Sequence, residues 1–351
     1  VQILQDQDTH NILVAGCGGG QDFVHSAVLM PFLKQLKKNV FLASFSFGNP
    51  NNYKDAEIFV EQPLCKIVNS STACHAPRQC ALESHYCKVL DNSFEGKHEI
   101  YAMNACDYTA DSLTHLYDKI CKKHSIDTII LIDGGSDAIM KGDEKEIATA
   151  VEDATSISAV KRLEIKNKIL LVIGLGCDRF HGVSDASSLR AIAELTQQNG
   201  FMGSISIEKD SVGFAFYQKA TQFIDENDEF RSIVGHVIEA AVEGEFGFVV
   251  PQKLQKRVHS STLYIWPLMS IIFAFDVEKV YDRSITCKVV DKAQSYDQAE
   301  ILIAKNRIKY KIRPVENFPG QKQFQCWKKV QTLQCRVSGF VIFTFNMHFI
   351  Q

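Results

Sequence analysis

Short apolar runs alternate with stretches of helical spacing along the first two thirds of the chain. Residues 11–15 (NILVA) predict a strand, followed at once by glycines. Residues 21–37 carry Phe23, Ala27, Met30 and Leu33 on one side of a helix. Residues 40–47 are apolar or small throughout, the signature of a strand covered on both faces. The stretch 48–98 is rich in Asn, Ser, Cys and His and predicts a long excursion with short elements. Regular alternation then resumes. Strands are predicted at 99–103, 128–132 and 168–173, and helices at 109–124, 144–162 and 185–199, the last closed by Gly200. A further strand fits 204–207. From 210 to 307 the pattern is mostly helical, with 296–307 the last clear helix. Within it, Pro267 reads as the first turn of a helix, and the apolar run after it as core, pocket wall or subunit interface. Residues 320–351 show no period.

Alternation of this kind predicts an α/β fold, Rossmann-like, with a mainly parallel sheet, helices on both faces and a helical C-terminal elaboration. Right-handed crossovers bring all strand C-termini to one edge, where open sheets bind ligands. Three glycine-rich segments fall at that edge, after Ala15, Ile132 and Ile173. No repeat or linker divides the chain, so residues 1–315 read as one large domain and 316–351 as an unplaced tail.

Composition narrows the class. With a net charge of −3 over 351 residues, no global electrostatic case exists for nucleic acid or anionic membrane as partner. The longest apolar runs are too short and too interrupted to span a bilayer. The polar start carries no secretory pattern. The expectation is a cytoplasmic protein with reduced thiols. The cysteines and histidines between 65 and 87 contain no C-x-x-C pair and match no standard zinc module. A homo-oligomer is left open.

The first loop, Gly16-Cys17-Gly18-Gly19-Gly20-Gln21-Asp22, links a strand to a helix, where glycines let the backbone approach a ligand and aim N–H groups at an anion. A dinucleotide fingerprint would want Gly or Ala in place of Gln21 and an acid at the end of the second strand, which instead reads Phe47-Gly48-Asn49. A phosphate or nucleotide cradle is therefore the better expectation, and a ligand-free tight turn the plain one. The second loop, Asp133-Gly134-Gly135-Ser136-Asp137 with Asp143 and Glu144 beyond, offers hard oxygen ligands for Mg²⁺, or acceptors for sugar hydroxyls. Asp133, Asp137 and Asp143 are the candidate metal ligands, though Asp143 and Glu144 also suit a helix N-terminus. The third loop, from Gly174 to Ser184, contains Asp178 and His181, which with Asp137 are the candidate acid–base residues. Ser184 suits an N-cap. Cys17 and Cys177 lie inside glycine-rich turns, where a nucleophilic role needs a lowered thiol pKa and a base nearby; small size in a tight turn explains Cys17 equally well.

These segments together, GCGGGQD, DGGSDAIMKGDE, GLGCDRFHGVS and PLM with a following FD, resemble the uncharacterised DUF1152 family in order and spacing over about residues 10–315. The resemblance implies an α/β fold of Rossmann-like character and no known reaction. Carried over by motif, it points to Gly16, Gly18, Gly19, Gly20, Asp22, Asp133, Gly134, Gly135, Asp137, Gly142, Asp143, Gly176, Asp178 and His181. Where that family tends to have Asn before the Pro-Leu-Met, this chain has Trp266. The leading expectation is an enzyme of hydrolysis or group transfer acting on a phosphorylated or nucleotide-like small molecule, assisted by Mg²⁺. The rivals are a sensor module using the same cleft and, behind it, a dinucleotide-dependent oxidoreductase.

Overall fold

Six strands expected from the apolar runs form, and they explain where the glycine-rich loops go. The computed structural model describes residues 2–75, 81–227, 232–258 and 263–315. The chain divides into two compact units, Val1–Pro314 and Val315–Gln351. The expected tail, residues 316–351, lies outside the described residues.

In order, the first unit contains β1 (Asn11–Gly16), α1 (Met30–Gln35), β2 (Asn39–Ser46), β3 (Glu57–Val60), β4 (Cys65–Asn69), α2 (Leu82–Asp91) and β5 (Glu99–Asn104). Then come α3 (Ala110–His124), β6 (Thr128–Gly134), α4 (Ala150–Lys161), β7 (Asn167–Ile173), α5 (Asp185–Gln197) and β8 (Phe201–Ser206). The remainder is α6 (Val212–Asn227), α7 (Ile233–Glu243), β9 (Gly247–Val249), β10 (Leu263–Ile265), β11 (Ile271–Asp276), α8 (Val277–Arg283), α9 (Ile285–Val290) and α10 (Tyr296–Arg307).

Nine strands make one sheet in the order β3-β4-β5-β2-β1-β6-β7-β11-β8. The five in the middle, β5-β2-β1-β6-β7, are parallel, with Ala15 beside Ala43 on one side and Gly16 beside Ile132 on the other. The chain moves outward from β1 through β2 to β5, then crosses back to β6 and β7. Its direction of travel reverses between β1 and β6, the topological switch point where ligands bind in such sheets. Both faces are covered. Leu13, Leu131 and Val172 pack under α3, α4 and α8. Val14, Ile132 and Leu171 face the opposite cluster with α2, α6 and the turn that follows β1.

Several expectations are corrected in detail. The helix predicted over 21–37 is two pieces, a 3₁₀ segment Asp22–Val28 and α1, because Pro31 has no N–H to continue a helix and instead occupies α1's first turn. The helix predicted over 144–162 starts only at Ala150. Residues before it form a loop held by Glu144, which accepts from the N–H groups of Lys141 and Gly142 at 2.9 and 2.7 Å. The left-handed residue closing α5 is Asn199 (φ 57°) rather than Gly200. The helical reading of 210–307 missed three strands. Pro267 opens a single 3₁₀ turn, Pro267–Ser270, and β11 follows, entering the main sheet antiparallel between β7 and β8. α3 opens with a capping box, in which Thr109 and Ser112 bond reciprocally. Among the described residues, no helix is long and apolar enough to cross a membrane.

Candidate functional site

The three loops meet. Those following β1, β6 and β7 line one cleft of about 670 Å³ above the switch point, together with the end of β2 and the start of α7. The first loop is stitched to its neighbours by Cys17 N–H donating to the Ile132 carbonyl (2.9 Å), Ser156 Oγ donating to the Cys17 carbonyl (2.6 Å) and Phe47 N–H donating to the Gly19 carbonyl (2.8 Å). The Phe47 ring lies directly over Gly19.

Carboxylates form the floor. Asp22, at the start of the 3₁₀ segment, accepts from Gly18 N–H at 2.8 Å. Asp133 ends β6, and Asp153 rises from α4 behind Gly18. One oxygen from each of these three lies within 4.8 Å of the other two. Asp137 accepts from the N–H and hydroxyl of Thr149, at 3.1 and 2.8 Å. Asp178 accepts from the N–H and hydroxyl of Ser136, whose hydroxyl also pairs with Ser188. Close approach demands glycine at two points. A Cβ on Gly18 would stand 2.7 Å from Asp153 Oδ1, and one on Gly135 would stand 2.5 Å from Asp178 Oδ2.

So many acids in so little water cannot all keep ordinary acidity. Burial, reinforced by the neighbouring carboxylates, holds Asp133, Asp153 and Asp178 well above the usual range. Burial pushes Asp22 up to about 7, against the bonds from Gly18 and Gly134 that favour its charge. His25 reaches the cleft from the 3₁₀ segment, with Nδ1 2.8 Å from the Tyr217 hydroxyl and the two rings stacked. Burial lowers it to about 4, so it is a neutral imidazole at physiological pH. Burial also raises the thiols of Cys17 and Cys177 well above the ordinary value, which leaves neither as a thiolate nucleophile.

Of the residues singled out in the sequence, Gly18, Gly19, Gly20, Asp22, Asp133, Gly134, Asp137, Asp178 and His181 all line the cleft. Gly16 and Gly135 stand just behind it, against Phe23 and Asp178. His181 is exposed and also borders a second cavity, of about 590 Å³, beside Glu146 and Arg307. Asp143 is not brought to the cleft. Its carboxylate pairs with Arg313 Nε at 2.7 Å, so its expected role as a metal ligand is corrected to an ion pair that fastens the chain beyond α10. Glu144 likewise pairs with Arg313 rather than opening α4. Gly142 (φ 107°) packs against Thr286. Ser184 is the N-cap of α5. Trp266 braces the third loop from behind: its indole N–H donates to the Leu175 carbonyl at 2.6 Å, and its ring stacks on Arg179. Among the described residues the cysteines are free, with Cys65 and Cys87 buried in the core, and Cys80 lies outside them.

Sequence reasoning missed His25 and Asp153. Both sit in runs read as helical core. For Asp153 a signal existed: Glu152 and Asp153 are adjacent acids in a helix otherwise made of small and apolar residues, and both are buried. Tyr296 of α10 explains Glu152, donating to it at 2.6 Å. Nothing comparable explains Asp153.

Fold and site define a class: an α/β protein with Rossmann-like strand order and an acid-floored cleft at its switch point. The chain belongs to the family described as "Protein of unknown function (DUF1152)", whose model matches residues 61–313. That span includes the second and third loops and begins after the first. No curated protein and no solved structure matches the chain.

Proposed function

We propose that the cleft binds a phosphorylated or nucleotide-like small molecule and that the protein is a hydrolase or group-transfer enzyme working with a divalent cation. The observation that carries this reading is the meeting of three strand-end loops over a floor of buried carboxylates. Once these carboxylates are ionised, an anionic ligand cannot rest directly on that floor, because like charges in a low-dielectric site repel strongly. A cation between them turns repulsion into binding, and the same ion polarises a phosphoryl oxygen or activates water. The rim supports the reading. Phe47 and Phe180 are half exposed (51% and 49%) where they line the cleft, an arrangement suited to stacking on a planar ring. Arg257 lines the same cleft and supplies positive charge for a phosphate. Asp137 and Asp178, each locked by two donors, are placed to orient water or a hydroxyl. His25, held neutral by burial with Nδ1 on the Tyr217 hydroxyl, is offered as a hydrogen-bonding group in the cleft wall.

Titration calorimetry of the purified chain against nucleotides and sugar phosphates, with and without Mg²⁺, tests the reading. Saturable binding that needs Mg²⁺ and disappears in Gly18→Val is expected. Binding without turnover would make the cleft a sensor site. No binding under any condition refutes the proposal.

A further inference from the structure

We propose that Asp22, Asp133 and Asp153 form a three-carboxylate site for one Mg²⁺ or Mn²⁺ ion beneath Gly18, with Asp153 the ligand that anchors it. This deepens the functional reading above and rests on the same cleft. Its warrant is separate.

The first observation is spacing. A single hard cation holds oxygen ligands at about 2.0–2.6 Å, so ligands on one ion lie roughly 3–5 Å apart. The three carboxylate oxygens, all within 4.8 Å of one another, meet that condition. They come from three separate elements: the 3₁₀ segment after β1, the end of β6, and α4.

The second observation is independent of spacing. Asp153 is 2% exposed and neither of its carboxylate oxygens has a hydrogen-bond partner; Asp133, 3% exposed, leaves Oδ2 in the same condition. Two fully buried carboxylates elsewhere are satisfied at both oxygens: Glu83 accepts from Ser44 and Tyr53, and Glu144 from two backbone N–H groups. An orphaned buried carboxylate costs several kcal/mol unless it is protonated or paired with a cation. The other titratable groups nearby offer no pairing. Asp137, Glu152 and Asp178 add negative charge, and His25 is turned to Tyr217 through Nδ1.

The third is the glycine. A Cβ on Gly18 would stand 2.7 Å from Asp153 Oδ1 and 2.8 Å from Asp22 Oδ2, so the two oxygens close over a residue that only glycine can supply. The donor set contains oxygen alone, which selects Mg²⁺ or Mn²⁺ over softer ions. Asp22 and Asp133 also line the cleft, which leaves the ion's outer positions open to water or a ligand oxygen.

The test uses the full chain, stripped with chelator, and Mn²⁺ as probe, followed by electron paramagnetic resonance and calorimetry without any nucleotide. One Mn²⁺ per chain is expected, displaced by Mg²⁺. Asp153→Asn, nearly isosteric, should weaken Mn²⁺ by tenfold or more, while Asp143→Asn leaves affinity unchanged. Gly18→Ala, which changes no charge, should also weaken it and decides the matter if Asp153→Asn does not fold. Absence of Mn²⁺ binding, or equal binding in wild type, Asp153→Asn and Gly18→Ala, overturns the site. Mn²⁺ binding together with failure of every phosphorylated ligand to bind the Mn²⁺-loaded chain sinks the functional reading and keeps the site. Mg²⁺-dependent nucleotide binding by a chain that takes up no Mn²⁺ on its own does the reverse.

Discussion

The acid floor makes a prediction about stability that runs against habit. Asp22 is raised by burial from 3.8 to about 7. Between those two values the folded protein holds a proton that the unfolded chain has released. Stability from this group is therefore fully present below about pH 4 and lost as pH rises toward 7. A shift of about three units corresponds to roughly 4 kcal/mol at 1.36 kcal/mol per unit. His25 runs the other way: lowered from 6.5 to about 4, it costs stability as pH falls through that window, by roughly 3 kcal/mol. The two slopes nearly cancel in the wild type, so the informative quantity is a difference. Asp22→Asn removes one slope and keeps the other. Its stability relative to wild type should improve by up to about 4 kcal/mol between pH 4 and pH 7.5, measured by urea unfolding in chelator. For a unit spanning Val1–Pro314, an unfolding entropy of about 2.1 cal/mol/K per residue makes that roughly 6 °C in Tm. Asp133, Asp137, Asp153 and Asp178 face the same floor, so removing one charge also eases the others, which adds to the effect. Stability profiles of variant and wild type that stay parallel across this range would refute the argument.

Three further outcomes are expected. Gly135→Ala drives a methyl into the Asp178 carboxylate and should cost about 3 kcal/mol through overpacking and weakened charge-assisted bonds, whereas Gly20→Ala, with open space around it, should melt like wild type; equal Tm values for the pair would contradict the packing. Tyr217→Phe leaves the buried Nδ1 of His25 without its partner and should cost about 1–3 kcal/mol in chemical denaturation. At His236, burial alone would lower the pKa, but bonds to Asp225 and Glu239 outweigh it and raise it, so its stabilisation is present below pH 6.5 and fades as pH rises through the higher folded value. His236→Gln should therefore destabilise more at pH 6 than at pH 9, and a pH-independent loss would count against the ion pairs.

What the sequence disclosed follows from local pattern. Strands buried on both faces announce themselves as unbroken apolar runs with no need of context, as 129–132 and 169–173 do inside β6 and β7. The glycine-rich loops were legible because a strand–glycine–acid order places them at the ligand edge by topology alone. β11 was illegible because Ile271–Asp276, following Pro267, reads equally as buried helix or buried strand at six residues. Asp143 was misplaced because proximity in sequence to Asp137 says nothing of Arg313, some 170 residues on. The acid pair Glu152–Asp153 marks a charge inside α4, and His25 carries no such mark, but only packing of α4 and the 3₁₀ segment against the ends of β1 and β6 brings the two to the others.

The placement of β11 has a consequence for how the molecule is made. β7 and β8 never touch as neighbours; the strand that joins them, Ile271–Asp276, is complete only 70 residues after β8 ends at Ser206. Until then β7, with Ile169, Val172 and Ile173, has an unpaired side, and such an edge can template pairing between molecules. Any fragment that stops before Asp276 keeps that hazard permanently, including fragments that contain all three loops of the cleft. The portion of sequence that holds the chemistry is thus shorter than the portion that must be synthesised before β7 is paired on both sides.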